Sequence, residues 1–494
     1  MSMSKLAGGG GGAAGWADIP RDLLESVLGR LPVPDRLRFP AVCTAWHSAS
    51  AGAARRRLPA APPSPWLMLP FNPTARRLRG GGGDANPCGD GSAKFSEARF
   101  LSLAEGRAYA IRQPAPAVAD RVCVGSSPDG WLVTADARSE LRLLNPVTGA
   151  QVRLPSVATL PFVAANLGAD GRVASYDLRC CFGAGCGDDG EAALIPPETV
   201  PPDRLRFEVF EKAVVLSPPR RTTTATPPAS GEWDGYAVLL ICHPLSRLAV
   251  ARAGDTKWTL LDTPARCWVD AVPAAAGAAA DVPVVYTMDA AGRVEAWDMD
   301  TAAATPAPAP PSRAIAPPCC CCSSRACAMS AAACRKYLVE LAPGHLLQVH
   351  RVRGAAHAAY GWEPRPERVE YSTTAVELFE WKAAAGEPSE LRPWAPVDGK
   401  DAGRVLAGRA LFLGKNASLC VPADGGGAAG LKGNCVYFTD DGPWSDERCR
   451  EVAPDVGVMD LAGGSYRLPR GAVRDLLWKW PPPVWVFPSL AIAG

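Results

Sequence analysis

The first strong apolar pattern lies near the N-terminus. Ile19, Leu23, Leu24, Val27, Leu28 and Leu31 recur at helical spacing, which places them on one face of a predicted helix. Pro20 fits its first position, where a missing N–H costs nothing. Asp22 and Glu25 fall in the first turn and Arg30 in the last, each complementing the helix dipole. Pro32 and Pro34 should end this helix. Asp35 to Phe39 predict a second short helix stopped by Pro40, and a third carries Val42, Cys43 and Trp46, with Pro40 among its early residues. Residues 1–15 read as a disordered leader, and 58–65, with four prolines, as a stiff linker.

From residue 66 the period changes to two, interrupted by glycine-containing turns. Residues 130–136, 141–146 and 151–154 predict a three-stranded meander turned at Val147-Thr148-Gly149. Residues 236–243, 248–252 and 258–261 repeat that layout, as do the hairpins 284–288/293–298 and 337–341/345–352. Leu411 to Leu413, Val436 to Phe438 and Val456 to Met459 supply later strands. Many short strands at meander spacing must hide their edges, and a repeat of roughly forty to fifty residues favours a propeller over a sandwich. The expected fold is therefore mainly β: a small three-helix module followed by a β-propeller. Low-complexity stretches at 80–83, 217–230, 273–280, 301–318 and 422–430 are expected to loop out between strands, 301–318 as an exposed, poorly ordered excursion. A circular array must also join its ends, so Val484 to Phe487 should pair with the first strand near Trp66 to Leu69.

Two resemblances follow from these residues. Trp16, Ile19, Pro20, Leu23, Leu24, Val27, Leu28 and Leu31, then Asp35, Leu37, Val42, Cys43 and Trp46, resemble an F-box over residues 16–57. Asp22, where Glu is commoner, and Pro40 depart from that pattern without removing an apolar contact. Gly130-Trp131-Leu132-Val133, Leu144-Asn145-Pro146, Tyr337-Leu338-Val339-Glu340, Leu411-Phe412-Leu413-Gly414, residues 433–441 and the tail 481–489 resemble the plant KIB-type propeller, covering about 66–490. The first resemblance implies docking on a Skp-type adaptor, and through it a cullin. Ile19, Pro20, Leu23, Leu24, Val27, Leu28, Leu31, Leu37, Val42, Cys43 and Trp46 would be the adaptor-binding residues. The pair implies a substrate receptor of a Skp–cullin–F-box ubiquitin ligase whose propeller binds an unidentified target protein. An F-box scaffold acting outside a ligase and a propeller enzyme are the alternatives.

Composition narrows this further. The chain has 494 residues, 48% of them hydrophobic, enough for a large core. A net charge of +2 gives no clustered basic excess of the kind a nucleic-acid surface needs. No secretory signal or membrane-spanning stretch stands out, so a soluble protein of the cytoplasm and/or nucleus is expected. Seventeen cysteines are therefore expected to be reduced. Neither Cys319 to Cys322 nor Cys180, Cys181 and Cys186 has the spacing of a structural zinc site. Of the five histidines, His345 and His350 fall in or beside one strand, on opposite faces, and cannot share a metal without a bulge. Asp440-Asp441-Gly442 reads as turn chemistry. Phosphate-loop and nucleophile-elbow motifs are missing from the sequence. No catalytic residue, metal or cofactor is assigned. Trp131, Trp258, Trp297, Trp381 and Trp485 are read as packing between sheets.

Overall fold

The computed structural model describes residues 15–31, 33–56, 65–69, 95–114, 121–179, 197–221, 233–243, 247–261, 263, 267–275, 284–299, 312–319, 334–357, 369–383, 392–423, 431–441, 454–468 and 483–489. It divides into two units, Met1–Pro63 and Ser64–Gly494. The expected leader, apart from Gly15, the linker before Pro65, and the loop at 80–83 lie outside the described residues.

In the first unit a 3-10 turn at Trp16–Asp18 leads to α1 (Arg21–Arg30), α2 (Val33–Arg38), a second 3-10 turn (Phe39–Ala41) and α3 (Thr44–Arg56). Three proline positions differ from expectation. Pro20 caps α1 from outside, its carbonyl accepting from the Leu24 N–H at 3.0 Å. Pro34 sits in the first turn of α2 and does not end α1; a first-turn N–H has no helical partner to lose. Pro40 belongs to the 3-10 turn, so α3 starts only at Thr44, and Val42 and Cys43 precede it.

The second unit is built of sheets whose strands pair mostly antiparallel. Blade 1 contains β1 (Trp66–Leu69), β2 (Phe95–Ser102) and β3 (Arg107–Pro114). Blade 2 is the meander β4 (Val122–Ser126), β5 (Leu132–Ala135), β6 (Leu141–Leu144) and β7 (Gln151–Arg153). A separate three-stranded sheet, β8 (Val163–Leu167), β9 (Val173–Leu178) and β10 (Glu198–Val200), and the short helix α4 (Pro202–Glu208) come next in the chain. Blade 3 combines β11 (Phe210–Ser217) with β14 (Ala237–Cys242), β15 (Arg247–Arg252) and β16 (Thr259–Leu260); a small ribbon, β12 (Arg220–Arg221) with β13 (Trp233–Asp234), interrupts it.

Blade 4 is β17 (Trp268–Pro273), β18 (Val284–Asp289), β19 (Val294–Asp298) and β20 (Ser312–Ala316). Blade 5 is β21 (Cys334–Ala342), β22 (His345–His357), β23 (Val369–Lys382) and β24 (Ala395–Val397), followed by helix α5 (Gly399–Leu406). Blade 6 holds β25 (Arg409–Leu413), β26 (Leu419–Pro422), β27 (Cys435–Phe438), β28 (Gly457–Asp460) and β29 (Tyr466–Arg467), in the spatial order β26-β25-β27-β28-β29.

The ring closes as the sequence predicts. β30 (Val484–Val486) pairs antiparallel with β1, Trp485 opposite Leu67, and completes blade 1. Blades 6 and 1 then share a core that includes Leu67, Leu69, Phe412, Tyr437, Trp485 and Phe487. Blades 1 and 2 meet where the Gly130 turn backs onto the C-terminal tail. Gly130 has a φ of +82°, and a Cβ there would lie 2.6 Å from the Phe487 carbonyl oxygen, so only glycine fits. Blades 2 and 3 meet more intimately: β4 and β11 pair in parallel, fusing both blades into one eight-stranded sheet. A Cβ on Gly125 would come within 1.9 Å of the Ala213 oxygen. Apolar clusters join blades 3 to 4, 4 to 5 and 5 to 6 in turn.

Four loop expectations need correction. Ser312–Ala316 is no excursion: it is the outer strand of blade 4, hydrogen-bonded to β19 across a bulge, with Ala316 and Cys319 buried. Low complexity hid it, because Ser312 to Ala314 stay exposed and Ala316 is buried by residues of blades 4 and 5 that are distant in sequence. The stretches at 217–230, 273–280 and 422–430 likewise begin with residues that finish strands, namely Ser217, Pro273 and Pro422, and the first also contains β12. The five predicted tryptophans are all buried. Trp258 Nε1 donates to the Pro155 carbonyl at 2.9 Å, and Trp297 Nε1 to Thr287 Oγ1 at 2.8 Å.

Candidate functional sites

The helical module divides its apolar residues into two sets. Leu24 is 1% exposed and packs with Phe39 and Ala49, while Ile19, Leu28, Leu31 and Trp46 lie partly buried against them. Phe39 and Trp46 rings meet at 4.4 Å, and Trp46 Nε1 donates to the Trp16 carbonyl at 3.0 Å. Leu37 and Cys43 are half-buried. Leu23, Val27 and Val42 are exposed, at 53%, 42% and 56%, as is Pro20. The single predicted face is therefore split. With about 100° of turn per residue, Leu31, Leu24 and Leu28 cover one side of the stripe and Leu23 and Val27 the other. Only the first side is covered within the module. Glu25 is buried beside them and bonded by Arg21 Nε at 2.9 Å.

The second candidate was not foreseen from the sequence. Inner strands of blades 3 to 6 converge on a cavity of about 120 Å³ lined in part by Glu211, Lys212, Arg335, Lys336, Tyr337, Lys415 and Asp441. Glu211 and Lys212 are adjacent on β11 and Arg335 to Tyr337 consecutive on β21, while Lys415 and Asp441 follow the ends of β25 and β27. Lys212 Nζ lies 2.6 Å from Asp270 Oδ1, and Ser418 Oγ donates to Asp270 Oδ2 at 2.7 Å. The Leu338 and Ala271 N–H groups complete the bonding of that carboxylate at 2.9 and 2.8 Å.

Asp441 is the hub on the other side. Tyr337 OH donates to Oδ2 at 2.8 Å, Arg351 Nη2 approaches Oδ1 at 3.0 Å, and Arg335 Nη2 bonds the Asp441 carbonyl at 2.7 Å. Burial alone would raise the Asp441 pKa, but the guanidinium groups of Arg351 and Arg335 outweigh it and hold the carboxyl well below its usual range. Arg335 Nη1 also binds Glu211 Oε1 at 3.0 Å, and Lys415 Nζ donates to the Glu211 carbonyl oxygen. For Lys415, burial dominates and lowers its pKa, against the raising effect of Glu211. For Tyr337, burial first and then the Asp441 charge, against the nearby guanidinium groups, push the phenol well up, so it stays a neutral donor. Asp440-Asp441 is thus no simple turn pair. Its sequence signal was only a doubled carboxylate at a strand end, and its partners lie about a hundred residues away.

His345 and His350 of β22 are both bonded to neighbouring side chains. His350 is fully buried on β22, bonded to Gln348 Oε1 at 2.9 Å, and burial drives its pKa to about 3, so it is neutral. His345 pairs with Glu380 at 2.8 Å. The buried thiols of Cys123 and Cys242 are both pushed up to about 12, which keeps them unreactive. Cys319 is buried, while Cys320 to Cys322, Cys180, Cys181 and Cys186 lie outside the described residues. Among the described residues no helix is long and apolar enough to cross a membrane.

Comparison with known proteins follows this division. The KIB1-4 beta-propeller family profile matches residues 100–460, and the F-box domain profile matches residues 16–54. A protein of Arabidopsis thaliana named as an F-box protein is 26% identical over 144 residues, 29% of this chain and 31% of that protein. The chain thus spans under a third of the length of this curated relative. Among solved structures, AztD from Citrobacter koseri is 11% identical, covering 58% of this chain and 70% of that one at a TM-score of 0.23. The WD40 domain of SCAP from fission yeast is 8% identical over 70% and 86%, also at 0.23. Likenesses that low add nothing to the sheet arrangement described above.

Proposed function

The chain belongs to the KIB1-4 beta-propeller family and carries an F-box domain ahead of its propeller, and from that premise we propose that it is the substrate-recognition subunit of a Skp–cullin–F-box ubiquitin ligase. The F-box docks a Skp-type adaptor and through it a cullin. The propeller presents a target protein to the ubiquitin-charged enzyme, and its contribution to the chemistry is positioning, with no catalytic residue of its own. The work is done in the cytoplasm and/or nucleus.

One observation carries this reading: the F-box leaves Leu23 and Val27, one helical turn apart, exposed on α1. A helix that presents neighbouring apolar side chains outward is suited to a groove on a partner. Leu23, Val27 and Val42 are then the contact residues, with Pro20 at the entry to α1. Leu24, Leu28, Leu31, Ile19 and Trp46 act by holding the module's shape, and Leu37 and Cys43 are half-buried beside them.

The test is co-purification of the full chain with a Skp-type adaptor and a cullin. Leu23→Asp/Val27→Asp should abolish capture while circular dichroism stays that of the wild type. Leu24→Ala should reduce capture by loosening the module, at a cost of about 3 kcal/mol or more. Undiminished capture by the double variant sinks the reading. Capture of the adaptor without a cullin would favour a scaffold outside a ligase.

A further inference from the structure

We propose that a row of arginines on blade 2 binds a carboxylate-rich, acidic segment of a partner protein. That partner is the target only if the receptor reading holds; the site itself stands apart from adaptor docking. The row consists of Arg142 on β6 and Arg153 on β7, with Arg121 just before β4. Register places Arg153 directly opposite Arg142, and Thr134 of β5 opposite Arg142 on its other side. Side chains in register share one face of a sheet, so both guanidinium groups stand on the face that carries Thr134. Arg121 Nε donates to Thr134 Oγ1 at 2.8 Å, which brings a third guanidinium beside them.

Like charges directly opposite one another destabilise a pair of strands, so this arrangement calls for an anion. Arg142 is half-buried and Arg153 exposed, and among the described residues neither guanidinium has a hydrogen bond or an ion pair. Asp136 attracts Arg142 without forming an ion pair with it. That carboxylate is committed to Arg121, 3.6 Å away, and accepts from the Arg138 and Glu140 N–H groups. Glu140 turns instead to Ser156, whose Oγ donates to it at 2.7 Å. Burial first, and then the Arg153 charge, lowers the Arg142 pKa against the pull of Asp136. Arg206 acts on Arg121 as a further positive charge. The face thus carries more cationic charge than its own carboxylates cancel.

Geometry selects the class of partner. β7 is the last strand of the eight-stranded sheet, so the row lies at the outer edge of blade 2, away from the polar cavity. An open edge admits an extended chain, whose alternate side chains stand about 7 Å apart on one face. Two carboxylates at that spacing are within reach of two arginines on neighbouring strands. Each planar guanidinium can take one of them as a bidentate pair. A nucleic acid would need a longer basic track than these arginines provide, in a chain whose net charge is only +2.

Fluorescence anisotropy on the full chain tests this with labelled, capped peptides that alternate Glu with Ser, Gln with Ser, or phosphoserine with Ala, and with a labelled single-stranded oligonucleotide. Saturable binding of the Glu peptide, weakened by added salt, is expected, with the Gln peptide about tenfold weaker or more. Arg142→Gln/Arg153→Gln should weaken the Glu peptide by about tenfold or more. The melting temperature of that double variant should equal or exceed the wild-type value, because the opposed like charges are gone. Arg172→Gln, on the exposed β8–β9 turn, should leave binding unchanged. Undiminished binding by the double variant, or equal binding of the Glu and Gln peptides, overturns the site. So does a double variant that melts below the wild type, since the arginines would then serve the fold. Tighter binding of the phosphoserine peptide or the oligonucleotide than of the Glu peptide overturns the choice of an acidic segment. Adaptor capture by the double variant should match the wild type. Capture without peptide binding sinks this site alone, and peptide binding without capture sinks the receptor reading alone.

Discussion

Asp441 shows how far a residue's role can lie from its local pattern. Beside Asp440 and Gly442 it looks like the polar end of a turn, yet it accepts from Tyr337 and Arg351 in a place where water is nearly excluded. A buried carboxylate between guanidinium groups is stable only as a set, because removing one member strands the others. Asp441→Asn should therefore destabilise the propeller by about 3–5 kcal/mol at neutral pH, read by urea unfolding. Its folded pKa lies below the ordinary value, so its stabilisation is complete above the unfolded carboxylate pKa of about 3.9 and fades as pH falls towards the depressed folded value. The gap between wild type and variant should consequently narrow below about pH 4. A gap that is constant with pH would show that the Asp441 charge plays no part. Nothing in the local sequence could have revealed this, since Arg335 and Arg351 sit on strands whose polar positions look like any solvated face.

At the scale of elements, hairpins and amphipathic stripes were legible because adjacent segments settle them. The α1 stripe was correctly placed, but its division was not: whether Leu24 or Leu23 faces inward depends on where α3 and Phe39 lie. The strands around the Asn145 to Gly149 and Asp289 to Gly292 turns fall where period and turn chemistry put them. The long strand β23 carries polar residues on its exposed side and is flanked by charge, which masks its period. β20 lies in a stretch whose Ala/Pro composition reads as loop, yet it pairs with β19. Deleting Ser312–Ala316 should strip the edge of β19 and lower the melting temperature by several degrees, since β20 buries Ala316 and closes blade 4. A melting temperature unchanged by that deletion would return the segment to the status of a loop.

For the whole molecule, closure is the controlling event. Trp485 is fully buried between Phe412 and Tyr437 of blade 6, at ring distances of 5.2 and 6.0 Å, and opposite Leu67 of blade 1. Trp485→Ala should cost about 3–5 kcal/mol. Deleting 484–494 should go further and melt the propeller's near-ultraviolet circular dichroism, while the F-box variant assays above still report a helical module. A truncated chain that melts like the wild type would mean the ring does not depend on its last strand.

That closure was readable in advance: a circular array joins its ends, so an apolar run at the far end of the β segment pairs with its first strand. The same holds for the helical module, the meanders and the turns, whose determinants are period, proline and glycine within a few residues of one another. What the tertiary structure alone decided involves choice among distant partners. β4 lies parallel to β11 because Gly125 lets the chains approach; β25 lies beside β27 because blade 6 inserts β26 on its inner side. The cavity of Lys212, Arg335, Lys415 and Asp441 exists only because four blades aim their inner strands at one point. Local patterns report which face of a segment is buried; which segment buries it is set by sheet twist and long-range packing, and the charged cavity arises at that second level.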